Sequence, residues 1–142
     1  MTGPPTALYY LLCAVSGCVW AGIAWLIGHK GFGSFLWGGI VASPLIGVIV
    51  GLIYRPAYRL STTKRAWLSL LTLYMAVTLF GLAIAVFDLA FGDPARGHME
   101  GILQTTLAVW WGVTLTGYVV VLWPLAYLNH WLLGSMLDLH RA

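Results

Sequence analysis

Residues 36–54 read LWGGIVASPLIGVIVGLIY, a run without one charged side chain. A helix rises about 1.5 Å per residue, so about 20 apolar residues cross a hydrocarbon core of about 30 Å. The run is long enough to span a bilayer. It also carries a second pattern. Gly39, Ser43, Gly47 and Gly51 recur every four residues and so share one helix face. Small side chains in that register let another backbone approach closely, which joins helices where lipid supplies no hydrophobic force between them. Pro44 stands beside this ladder and is expected to bend the helix.

Three further apolar runs, Ala7–Ile27, Trp67–Phe91 and Ile102–Leu128, lie around it with short linkers between them. The chain of 142 residues is 61% hydrophobic and 8% charged, with a mean hydropathy of +0.89. Soluble domains carry about 25% charged residues, and a chain this short has too little interior to hide so much apolar surface from water. The expectation is an all-α polytopic membrane protein, a four-transmembrane-helix antiparallel bundle forming a single domain over 1–142. Two more small-residue ladders are expected to serve helix packing. One is Ala14, Cys18 and Gly22 in the first run, the other Ala108, Gly112 and Thr116 in the fourth. Beyond Leu128, Leu132, Leu133, Met136 and Leu137 repeat at helical spacing. They predict a short amphipathic surface helix over about 131–140, set off by a kink at Pro124.

The linker 55–66 holds Arg55, Arg59, Lys64 and Arg65, whereas the neighbouring linkers hold only Lys30 and Arg96. The positive-inside rule places the basic linker in the cytoplasm, and an even number of crossings then places both termini there, in agreement with Arg141. These four side chains are also expected to touch anionic lipid head groups, at about 1 kcal/mol each. Basic residues confined to one linker, with no basic-aromatic stripe elsewhere, point away from nucleic acid. A bacterial inner membrane is the expected location. No Lys or Arg precedes the first run, so no cleaved signal peptide is expected. Val15-Ser16-Gly17-Cys18 resembles a lipoprotein processing box, but the chain stays apolar after Cys18, which favours a packing role. Cys13 and Cys18 point about 140° apart on one helix and form no bridge. Aromatic side chains gather at run ends (Tyr9, Tyr10, Tyr54, Tyr58, Trp67, Trp123, Tyr127 and Trp131), as interface anchors do. Trp110 and Trp111 lie inside the fourth run and break the pattern.

Few residues offer chemistry. Asp88 is the one ionisable group with a carboxylate inside a run, and it is read as an ion-pair partner of Arg96, Lys30 or His29, with a proton or cation relay as the sharper alternative. His29, Asp93, His98 and Glu100 fall on the outer side. They compose a weak metal set, and His29 with His98 a weak haem or chlorophyll-type pigment set. His130 and His140 are read as solvated tail residues. No nucleophile-and-base spacing, phosphate-cradling loop or H-E-x-x-H motif occurs. Small multidrug transporters need a glutamate in the first span, and quinone-coupled disulfide generators need cysteine pairs on the oxidising side. Membrane glutathione transferases carry Arg, Asn and Glu within their helices. The chain departs from each at these positions.

The functional expectation is a non-catalytic accessory or assembly subunit of a larger integral membrane complex (respiratory, photosynthetic or transport), with bound lipid and no cofactor. The alternative is a small transporter or channel acting as a homo-oligomer. That reading requires Asp88, Thr105, Thr106, Thr114, Thr116 and Ser43 to line one cavity. A third reading is a pigment-, haem- or metal-binding membrane protein using the outer histidines.

Overall fold

Backbone amides without access to water must pair within their own segment, and these apolar runs accordingly fold as helices. The computed structural model describes residues 6–92 and 101–137. Its elements are α1 (Thr6–Phe32), α2 (Trp37–Tyr54), α3 (Thr62–Phe91), α4 (Ile102–Leu115) and α5 (Val119–Met136). Tight 3-10 turns over Gly33–Leu36 and Arg55–Arg59 join the first three helices, and no strand occurs among the described residues. Three helical stretches, Thr6–Arg59, Thr62–Phe91 and Val119–Met136, are long and apolar enough to cross a membrane. The architecture is thus compatible with an integral membrane protein.

The stretch Thr6–Arg59 doubles back at Gly33–Leu36, so that α1 and α2 form an antiparallel hairpin. A Cβ placed on Gly47 would land on the Cys13 carbonyl, one on Gly51 would meet the Cys13 thiol, and one on Gly17 would meet the Ser43 carbonyl. Glycine at positions 17 and 47 permits the helices to touch backbone to backbone, and glycine at 51 admits the Cys13 side chain. The α2 ladder therefore closes within the chain. The N-terminal end of α2 turns to α3 instead: a Cβ on Gly38 would sit 2.7 Å from the Ala83 carbonyl, and one on Gly39 would sit 2.5 Å from the Phe80 ring. A third close crossing brings Gly81 of α3 against the Thr106 backbone of α4.

On α1 the buried face is Tyr9, Cys13, Gly17 and Ala21. The expected ladder Ala14, Cys18 and Gly22 lies one position further round, with Cys18 and Gly22 exposed. Both series repeat small residues every four positions. Tyr9 chooses between them, because its hydroxyl donates to the Gly51 carbonyl at 2.8 Å and fixes the rotation of α1. The α4 face is displaced similarly: Thr105, Thr106 and Val109 are buried, while Ala108 and Thr116 are exposed.

The fourth apolar run is not one helix. It stops at Leu115 and restarts at Val119, with Gly117 between them at φ 75°. That left-handed conformation favours glycine. The break satisfies its own amides: Gly117 N–H donates to Thr114 O at 3.2 Å and Leu122 N–H to Tyr118 O at 2.8 Å. The expected surface helix is also revised as far as it can be followed. Residues 131–136 continue α5, and Leu133 and Leu137 are buried with Tyr9, Cys13, Tyr54, Ala57 and Tyr58. This tyrosine-rich group is one half of the core. The other centres on Leu36, Leu73, Val77, Ile84, Val109, Leu122 and Ala126. Residues 138–140 of the expected helix lie outside the described residues.

Candidate functional site

The helices pack in sequence: α1 on α2, α2 on α3, and α3 on both α4 and α5. α5 returns to α1 near one end, where Ser16 Oγ donates to Asn129 Oδ1 at 2.9 Å. No comparable packing face joins α1 to α4 among the described residues. The space between them is a cavity of about 300 Å³ lined by residues of all five helices. On α1 it runs from Cys13 to Phe32, about 28 Å along the helix axis. Its walls are chiefly apolar (Trp20, Ile23, Ile27, Phe80, Val109 and Leu122), and Gly28, Gly31 and Gly112 widen it. A volume of this size falls at the lower end of ligand pockets, which run from about 300 to 1,000 Å³.

Polar groups collect at the end nearest the basic linker. His130 of α5 is only 4% exposed, and its ring lies flat on Tyr54, with centroids 3.6 Å apart and planes 3° apart. His130 Nε2 is 3.2 Å from Thr72 Oγ1, and the single hydroxyl proton of Thr72 is directed to the Ser69 carbonyl at 3.1 Å. Nε2 is thus occupied by Thr72, in a direction set by the ring tautomer. Nδ1 is buried and has no hydrogen-bond partner among the described residues. Tyr54 is anchored in turn, its hydroxyl donating to the Arg65 carbonyl at 3.1 Å. Arg55 clamps the start of α1: its guanidinium stands 5.6 Å from the Tyr9 ring centre and 5.7 Å from that of Tyr10, and donates to the Tyr10 hydroxyl at 3.2 Å. Arg55 thus packs on aromatic faces as well as carrying charge, whereas Arg59 and Lys64 are exposed.

The structure disperses the remaining polar residues. Ser43 and Thr116 line the central cavity, but Asp88 lies in a separate hollow with Ser34, Phe35 and Trp37 at the far end of α3. Thr105 and Thr106 donate to the Gly101 and Ile102 carbonyls one turn back, at 3.0 and 2.8 Å. Thr114 pairs with the Tyr74 hydroxyl at 3.1 Å. The six groups that a shared polar path needs do not line one space. Trp110 is engaged within the bundle, its Nε1 donating to Thr78 at 2.8 Å beside the Tyr74 ring, while Trp111 is exposed. His29 stacks on Trp25 and hydrogen-bonds the Trp25 carbonyl at 2.9 Å. Asp93, Arg96, His98, Glu100, His140 and Arg141 lie outside the described residues. No cluster of three metal-ligating side chains occurs among the described ones.

Sequence reasoning treats His130 as a solvated tail residue, whereas the structure buries it. A faint signal for its burial exists in the helical register. His130 stands four positions after Ala126 and three and four before Leu133 and Gly134, and all four turn inward together. Protein-family models, curated proteins and solved structures give no match to this chain.

Proposed function

We propose that the chain is a four-span integral membrane protein acting as a non-catalytic accessory subunit that packs on a larger membrane assembly. The fourth crossing is made by α4 and α5 in tandem. In this reading the basic linker and both termini face the cytoplasm of a bacterial inner membrane, as the asymmetry of Lys and Arg suggests.

The supporting observation is a contrast between glycines. Gly17, Gly38, Gly47 and Gly51 each stand where a Cβ would strike a neighbouring helix, whereas a Cβ on Gly22 would meet nothing within 4 Å. Glycine inside a helix costs about 1 kcal/mol relative to alanine. At Gly22 no contact with the described residues offsets that cost. With Cys18 it forms an exposed small-residue face of α1, of the kind that admits a second transmembrane helix.

The test is Gly22→Leu in the full chain, expressed in its native membrane and extracted gently. The variant is expected to keep its thermal unfolding midpoint and to leave the larger assembly, appearing at a lower mass on size exclusion. A wild-type chain that purifies alone at monomer mass, or a Gly22→Leu chain that stays in the assembly, overturns the proposal.

A further inference from the structure

We infer that the central cavity is a binding site for one long-chain alcohol, its hydrocarbon tail lying between α1 and α4 and its hydroxyl bonded to His130. The inference rests on the lipid-embedded part of the reading above and is independent of the assembly part.

Volume selects the class of occupant. The cavity, about 300 Å³, lies at the lower end of the range of small-molecule pockets, about 300 to 1,000 Å³. The space suits a single chain. Its walls are apolar along α1, α3 and α4, so water gains few partners there. The open flank lies between α1 and α4, where lipid chains would border the protein and an apolar molecule enters without crossing water.

The head group follows from the polar end. His130 lines the cavity, is almost wholly buried, and has Nδ1 without a partner among the described residues. An unmade hydrogen bond in such a place is costly, and a partner that supplies it is correspondingly favoured. Nε2 is occupied by Thr72, so Nδ1 is the ring nitrogen left to meet a ligand, and a hydroxyl suits it in either tautomer because it both donates and accepts. Asn129 stands beside it on the cavity wall with its Oδ1 already accepting from Ser16. Its amide N–H groups are the donors that an alcohol oxygen can accept from. A charged phosphate head group suits neither this buried end nor the tight space.

Trp20 on the cavity wall provides the readout. The full chain is placed in phosphatidylcholine nanodiscs and titrated with a dibrominated octadecanol, whose bromines quench tryptophan on contact. The same titration of Trp20→Phe isolates the Trp20 signal, and a dibrominated octadecane serves as the chain without a hydroxyl. Saturable quenching of Trp20 is expected, with the alcohol acting at about tenfold lower concentration than the alkane. His130→Phe should bring the alcohol to the level of the alkane. Gly112→Leu should abolish quenching while leaving the helical circular dichroism unchanged, since a Cβ at Gly112 meets nothing within 4 Å and the side chain fills the void. Equal potency of alcohol and alkane on the wild-type chain overturns the inference, as does undiminished quenching in Gly112→Leu. Both comparisons stand even if His130→Phe fails to fold.

Discussion

Single glycines divide this chain into positions that bear contact and positions that do not. Gly47 belongs to the first class: any side chain there drives α2 off the Cys13 carbonyl. Gly47→Leu is expected to lower stability by about 3 kcal/mol, near the upper end for overpacking, because backbone rather than a flexible side chain must give way. Thermal unfolding in mild detergent checks it, and a midpoint equal to the wild type would show that α1 and α2 do not meet here. Gly22→Leu supplies the control. At this scale the sequence is only partly legible. Ser43, Gly47 and Gly51 are visible as a contact face because the run around them is otherwise bulky. His130 is not, since a lone histidine after an apolar run reads equally well as an interfacial residue. Its burial depends on Tyr54 and Thr72, which are remote in the chain.

At the level of elements, composition locates the helices and cannot set their rotation. Ala14, Cys18 and Gly22 are as small as Cys13, Gly17 and Ala21, and adjacent positions differ by only about 100° of rotation. The choice falls to the Tyr9 hydroxyl and its bond to Gly51. The break between α4 and α5 is hidden for a different reason. Apolar content is continuous across Thr116–Tyr118, and one glycine among many gives no sign that it adopts φ 75°. Gly117→Val tests the break. The site is exposed and open, so the cost is that of a left-handed β-branched residue, about 1–2 kcal/mol. A fall of a few degrees in the unfolding midpoint is expected, with Gly117→Asn closer to wild type. No change in either variant would mean that the two helices run on as one.

The whole molecule makes an asymmetric object, tightly closed by tyrosines at the basic-linker end and open along α1 and α4. Its proposed orientation has a direct check at exposed Thr62. In a Cys18→Ser background, a Thr62→Cys chain should resist an impermeant thiol reagent in intact cells and react after lysis; labelling of intact cells reverses the topology. The hairpin has a consequence for biogenesis. Only Gly33–Leu36 separates α1 from α2, and glycine contacts join them along much of their length. The pair can therefore zip together once Tyr54 has left the ribosome. Gly38 and Gly39 then remain as an unfilled notch, ready to receive Phe80, Ile84 and Phe87 of the emerging third helix. Order of synthesis and order of assembly can coincide in this way, so a chain with Gly38 and Gly39 both replaced by leucine should leave the third helix without its landing platform and be cleared by membrane proteases.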